Sequence, residues 1–332
     1  MPTKTQLSMP SAAERVRYLE DPTVFSIGQE RPHAHFTPYS SQDSFLKNEN
    51  STRVQVLDGD WNFHWSPNPA SRPIEFFRAD FDSNNWSKIP VPSNWQLQGH
   101  GIPIYVNDRY PFHKNPPYIP QDDNPVGSYL HTFSIAENWS EMEIFLTFGA
   151  VKGAAHFWLN GEYLGYNQDS KTPVEFNISR HLQAGENSLA VEITRWHDGS
   201  YLECQDFWRL SGIERSVFLT ARPKTYVRDF FVHAGLDENY KNGEFSIELE
   251  VVKSKLKEAV SIELQLIDNQ NDNVFIKKLE RSGKRHPSEG DFQELIYAIS
   301  FPNVQHWTAE TPNLYQLILS TFNKNDELLE VT

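Results

Sequence analysis

The sequence predicts an all-β protein: a jelly-roll β-sandwich followed by an immunoglobulin-like β-sandwich. Three observations carry this reading. Short apolar runs alternate with polar residues at period two through most of the chain. Clusters of Gly, Pro, Asn and Asp separate the runs, as turns require. No apolar pattern of helical period extends over a convincing length. At 332 residues the chain is long enough for two or three cores, and 38% hydrophobic with 13% aromatic content marks folded domains rather than disorder.

Residues 1–40 read as an extended N-terminal arm lying on the fold, because Pro22, Pro32 and Pro38 interrupt any helix. A solvated tail is the competing reading. The jelly roll is assigned to residues 41–222. Residues 54–57 lead through Asp58-Gly59 into an alternating run from Trp61 to Trp65. Ile144, Leu146 and Phe148 alternate likewise. Phe157 and Leu159 precede Asn160-Gly161, a strong hairpin dipeptide, and Tyr163 and Tyr166 follow it. Leu189, Val191 and Ile193 alternate with Ala190, Glu192 and Thr194, and Val217 and Leu219 close the unit. Residues 90–127 are Pro-rich and irregular, and so long an irregular segment in a compact domain points to function.

The second sandwich is assigned to residues 223–332. Phe245, Ile247, Leu249 and Val251 share one face. Ile262, Leu264 and Leu266 repeat the pattern, then Leu295, Tyr297 and Ile299, and a last strand runs over residues 314–322. A hydrophilic loop, Arg281 to Gln293, lies between strands.

The formal net charge of −14 disfavours nucleic acid and anionic membrane as partners and places no demand on a neutral substrate. The single cysteine, Cys204, rules out an intrachain disulfide framework and a multi-cysteine metal site. No apolar run approaches the ~18 residues of a membrane span, and the first nineteen residues carry no apolar signal core. A cytoplasmic protein is expected. There is no phosphate-cradling glycine loop, no His-Glu-x-x-His and no Gly-x-Ser-x-Gly elbow. His33 and His35, two residues apart on the arm, make only a weak metal pair.

Chemistry concentrates between Arg195 and Arg215. Tyr201, Phe207 and Trp208 offer ring faces suited to the apolar C–H face of a pyranose, and Gln205 and Asp206 offer groups that accept or bridge hydroxyls. Glu203 and Asp206, three residues apart, are the nearest thing to a glycosidase carboxylate pair; orienting a loop and binding hydroxyls is the more conservative role for them. Asn107, in Ile104-Tyr105-Val106-Asn107-Asp108, carries both a donor and an acceptor; it reads equally as a hydroxyl contact and as a turn former.

Five stretches in order then carry a family resemblance: Val91-Pro92-Ser93-Asn94-Trp95-Gln96-Leu97-Gln98-Gly99, Pro103 to Phe112, Asn124 to Tyr129, Gly165 to Ser170, and Arg195 to Arg215. Trp307 to Tyr315 adds a looser match. With these the chain resembles the N-terminal portion of a β-galactosidase of glycoside hydrolase family 2. The resemblance implies a jelly roll, an immunoglobulin-like domain and then a TIM barrel that holds both catalytic glutamates and the main magnesium ligands. The chain stops at Thr332, where that barrel is expected to begin, and shows no strand–helix alternation. It therefore resembles a truncated form with no catalytic residues of its own. By the same resemblance Asn107 and Asp206 contact galactose hydroxyls, and Asp206 lends one oxygen to a sodium ion whose other protein ligands come from the barrel. Magnesium and sodium belong to the intact enzyme, and no cofactor is expected for this chain alone. Cys204 stands where the family pattern often has aspartate. The Arg281 to Gln293 loop corresponds to a segment that reaches a neighbouring subunit in tetrameric relatives, but its sequence is divergent.

The expected function is thus a non-catalytic sugar-binding and scaffold part of a retaining β-galactosidase. Its partners are galactosides, the absent barrel, and a second copy or small subunit. A self-sufficient lectin-like module and a structural domain pair are the rival expectations.

Overall fold

Both sandwiches are present. The computed structural model describes residues 7–252, 260–280 and 292–332. Two units form. Among the described residues, one holds 7–31 with Gln55–Thr220, the other Pro32–Val54 with Ala221–Thr332. The arm assigned to residues 1–40 is thus divided between them, and residues 41–54 belong with the second unit instead of the jelly roll.

The jelly roll has a seven-stranded sheet in the order Ser26–Ile27, Glu162–Asn167, Ala154–Leu159, Glu186–Thr194, Val126–Ser134, Gly59–Ser66 and Ser87–Val91. A four-stranded sheet lies across from it: Val174–Asn177, Glu143–Phe148, Val217–Arg222 and Val54–Val56. The sheets meet through aromatic rings. Phe157 of the large sheet sits 4.8 Å from Phe148 and 5.0 Å from Phe176 of the small one, centroid to centroid. The expected hairpin forms at Asn160-Gly161, with Leu159 paired to Glu162 and φ of 52° and 81° at the two turn residues, the left-handed pair that such a turn demands.

The alternation along residues 189–194 does not produce an exposed face: every residue from Leu189 to Thr194 is buried. So is every residue of Ala154–Leu159. The outer face of the large sheet is covered, and the N-terminal segment helps to cover it. Residues 12–18 form a short helix instead of an extended arm. Ser11 caps it: its hydroxyl accepts from Glu14 N–H while the Glu14 carboxylate accepts from Ser11 N–H. Pro10 and Pro22 flank this turn of helix without interrupting it.

The covered face contains charge. Glu192 is 2% exposed and sits between two buried arginines: Arg15 Nε lies 3.3 Å from Oε1 and Arg72 Nε 3.1 Å from Oε2. The guanidiniums also donate to the carbonyls of Ile74 and Ala12, which satisfies donors that water cannot reach. Arg15 further lies over the rings of Trp158 and Phe77. His156, opposite Glu192 in the sheet, is fully buried, and burial first, then Arg15, hold its pKa well below the usual histidine value.

The second unit pairs a three-stranded sheet (Tyr226–Leu236, Gly243–Val252, Phe292–Phe301) with a four-stranded one (Asn273–Glu280, Ser261–Ile267, Gln316–Phe322, Leu328–Val331). Its core is the inward row Phe245, Ile247, Leu249 and Val251 against Ile262, Leu264, Leu295 and Leu319, as the alternation predicts. The strand Leu328–Val331 was not foreseen; in it Glu330 is buried and paired to Arg222, whose guanidinium also stacks 4.2 Å over Tyr226. The Arg281 to Gln293 loop lies outside the described residues except for its last two positions, which open the strand Phe292–Phe301.

Two measurements test these contacts. Glu192→Gln leaves two buried guanidiniums facing an uncharged amide and is expected to cost about 3–5 kcal/mol in denaturant unfolding; a loss under ~1 kcal/mol, the range of exposed pairs, would contradict it. The fold keeps His156 neutral while the unfolded chain protonates it, so the unfolded state binds more protons below pH ~6.5. Stability should therefore fall as pH drops below that value, with His156 contributing at most about 1.4 kcal/mol per pH unit. Unfolding curves of His156→Gln between pH 5 and 8 should show a shallower slope than the native chain.

Candidate functional site

The irregular stretch 90–127 and the Arg195–Arg215 segment meet in two small sheets. Strand Gly212–Ile213 pairs with Ser93–Asn94 on one side and Val151–Lys152 on the other. The approach is close: a Cβ at Gly212 would lie 2.4 Å from Ser93 O, and its φ of 138° is itself reserved for glycine. A ribbon then forms between Ile104–Val106 and Phe207–Arg209, with Val106 opposite Phe207 and Tyr105 opposite Trp208.

The two predicted site residues close this ribbon. Asn107 follows its first strand and Asp206 precedes its second. The Asp206 N–H donates to Asn107 O at 3.2 Å. Both side chains are exposed. Asp206 has φ 52°, a conformation that aspartate tolerates better than most residues. Its Oδ1 accepts from Tyr105 Oη at 2.7 Å. Beside it Tyr105 and Trp208, each about half exposed, stand with ring centroids 5.5 Å apart, and Phe207 is also half exposed.

Other predicted groups serve differently. Tyr201 was expected to offer its ring to a ligand. Instead it packs edge-on against Phe112 and Tyr110, its hydroxyl donating to Tyr118 O and accepting from Asn115 N–H. Glu203 does not act with Asp206. It turns inward to an ion pair with Lys152, whose ammonium also reaches Ser170 Oγ at 3.3 Å. Burial opposes the Glu203 charge, but His197 and Lys152 outweigh it and lower the pKa. His197 is 1% exposed, with Nε2 3.7 Å from Glu203 and Nδ1 3.8 Å from Asp198. Asp198 in turn accepts from Gln168 Nε2, and Gln168 accepts from Tyr166 Oη, both at 2.8 Å. Cys204, half-buried with φ 57°, sits between these inward and outward carboxylates.

Guanidiniums brace the same loop from below. Arg209 donates to the carbonyls of Ser200 and Glu203, and Arg195 to those of Ile102 and Arg209. Burial pushes the Arg195 pKa down to about 10. The N-terminal segment adds two ties: Leu19 O accepts from Asp198 N–H, and Glu20 accepts from Ile119 N–H and Gln121 Nε2. Sequence reasoning missed Lys152, His197 and Glu20, because nothing in their local sequence shows which distant groups they meet. Tyr105 was visible only as a member of a motif.

Chemically the surface offers one carboxylate oxygen, one primary amide and two ring faces, a set suited to hydroxyls and C–H groups. Among the described residues, no group of three or more His, Cys, Asp or Glu is arranged to hold a metal ion, and no helix is long and apolar enough to cross a membrane.

Comparison identifies the family to which this two-sandwich chain belongs. Residues 54–223 match the sugar binding domain of the glycosyl hydrolases family 2, and residues 225–332 match a further domain of glycosyl hydrolases family 2. The chain belongs to glycosyl hydrolase family 2. It is 37% identical over 318 residues to a beta-galactosidase of Priestia megaterium, covering 93% of this chain and 30% of that protein. It is 38% identical over 320 residues to a beta-galactosidase of Halalkalibacterium halodurans, covering 95% and 31%. The chain thus spans about three-tenths of the length of these relatives. The fold matches that of a Bacteroides uniformis beta-glucuronidase with a TM-score of 0.68 at 20% identity, over 84% of this chain and 31% of the other.

Glu203→Gln removes the charge that faces Lys152 and His197. Glu203 is partly exposed, so the expected loss at pH 7 lies toward the lower end of about 3–5 kcal/mol. The native carboxylate has a lowered pKa, so its contribution is present above the unfolded value and lost as pH falls through the folded one. Melting curves of the two proteins should differ at pH 7 and draw together as pH falls below the ordinary glutamate value. Equal curves at pH 7 would show that the ion pair contributes nothing to stability.

Proposed function

We propose that this chain is a non-catalytic sugar-binding and scaffold part of a retaining β-galactosidase. Asn107 and Asp206 contact galactoside hydroxyls beside the Tyr105 and Trp208 rings. The observation that carries the reading is the meeting of these two exposed polar side chains at one end of an aromatic ribbon, although nearly a hundred residues separate them. The beta-galactosidase relatives support the substrate class.

A catalytic barrel elsewhere in the intact enzyme is proposed to supply both glutamates and the magnesium ligands. The exposed Leu202, Phe207, Trp208 and Ile102 suit such a covering domain. Asp206 fits one ligand position for sodium: its Oδ2 takes no hydrogen bond from a described residue, and a carboxylate oxygen is a hard ligand with lone pairs enough for a cation and one hydroxyl together. The remaining ligands would come from the barrel. The cytoplasm is the proposed compartment, and a second copy or a small subunit remains a proposed partner of the intact enzyme. A net charge of −14 argues against nucleic acid and anionic membrane.

Two hydrogen bonds at a wet surface, each worth about 0.5–1.5 kcal/mol net, do not exceed the cost of ordering a sugar. The chain alone should therefore leave a chromogenic β-galactoside uncleaved and bind galactose or lactose more weakly than millimolar. Turnover by pure protein would overturn the non-catalytic reading. Saturable binding tighter than about millimolar would favour a self-sufficient lectin-like module.

A further inference from the structure

We infer that Tyr105 is a positioning residue for Asp206: its phenol holds the carboxylate in one orientation and leaves the other oxygen to meet a sugar hydroxyl. The inference rests on the proposed role of Asp206 as a hydroxyl contact. Tyr105 lies directly opposite Trp208 across the ribbon, and the two rings stand 5.5 Å apart at 58°. This contact restricts where the phenol ends. From there Tyr105 Oη donates to Asp206 Oδ1 at 2.7 Å, a charge-assisted bond. The Asp206 backbone is fixed as well, by its turn conformation and its N–H bond to Asn107 O. Side-chain rotation is the freedom that remains, and the phenol bond restricts it.

An exposed carboxylate without this bond would sample several rotamers, and the ligand would have to order it. With the bond, the ordering is done before the ligand arrives. The bond also shapes what the site accepts. A carboxylate with one oxygen already engaged favours a single hydroxyl donor over bidentate capture of two neighbouring hydroxyls.

Tyr105→Phe tests the inference, since it keeps the ring against Trp208 and deletes only the hydroxyl. In carbon-13 tyrosine spectra the Tyr105 signal is the one missing from Y105F. At constant pH its chemical shift should report the bond to Asp206, and Asp206→Asn should move it. Methyl β-galactoside, titrated by NMR to the limit of its solubility, should bind Y105F about three- to tenfold more weakly than the native chain, with the melting temperature unchanged. A Tyr105 signal indifferent to D206N overturns the inference, whether or not the sugar binds measurably. If D206N loses the galactoside while Y105F keeps native affinity, the inference fails and the reading of Asp206 stands. If D206N binds as the native chain does, the reading of Asp206 fails and the inference falls with it.

Discussion

The jelly roll depends on a charge that should not be where it is. Glu192 lies in a central strand of the large sheet, on a face that the N-terminal segment covers, at 2% exposure. An isolated carboxylate there would cost many kcal/mol or lose its charge. Arg15 and Arg72 remove that penalty by occupying one oxygen each. The arrangement is conditional. Arg15 is delivered by the helix Ala12–Tyr18 and Arg72 by the turn after Pro69–Ser71, so Glu192 tolerates burial only when both segments are in place. A buried ion cluster adds little net stability over an apolar one. What it does here is make coverage of the sheet all or none.

The same coverage reaches the site loops. Immediately after the helix, Leu19 is buried with Trp196, Ile119, Tyr166 and Ala154, and Phe112 and Tyr201 pack against this group. Leu19 O and the Glu20 carboxylate then take hydrogen bonds from both loop segments. The loops have little regular structure, so their order has to come from such anchors. The buried polar row from Tyr166 through Gln168 and Asp198, with His197, Glu203 and Lys152 beside it, supplies the rest. Rigid loops on a scaffold are how a sandwich presents exposed polar groups at fixed spacing.

Much of this was legible before the structure. Period-two alternation located the strands of both sandwiches, and Asn160-Gly161 located its hairpin, because each is a local signal. Asn107 and Asp206 were identified from motifs, and the structure does bring them together. The failures share a cause. Alternation along residues 189–194 reports polarity, whereas burial depends on what else covers the sheet; Glu192 and His156 are polar and buried because a distant segment arrives on top of them. The helix Ala12–Tyr18 had a signature in Ser11 and Glu14, three residues apart as a capping box requires, but the neighbouring prolines drew the reading toward an extended arm. The division of that arm between two units has no local signal at all. Neither does the inward turn of Glu203, which is set by Lys152 some fifty residues away.

Glu203 and Asp206 show how one short segment serves two opposite needs. They are three residues apart, yet one faces a buried lysine and the other faces solvent and a phenol. In a helix, residues three apart share a face, so a helical segment would not send these two carboxylates in opposite directions. The reversal is made by two left-handed residues, Cys204 and Asp206, with Gln205 between them. A left-handed conformation costs a residue other than glycine roughly 1–2 kcal/mol, and aspartate less than cysteine because its side chain bonds locally. Cys204 retains the turn at a higher local cost, and the ties around it hold the backbone there: Arg209 to Glu203 O on one side, the Asp206 N–H to Asn107 O on the other. The turn that gives Asp206 its outward position is thus imposed by neighbouring hydrogen bonds more than chosen by the residue that adopts it.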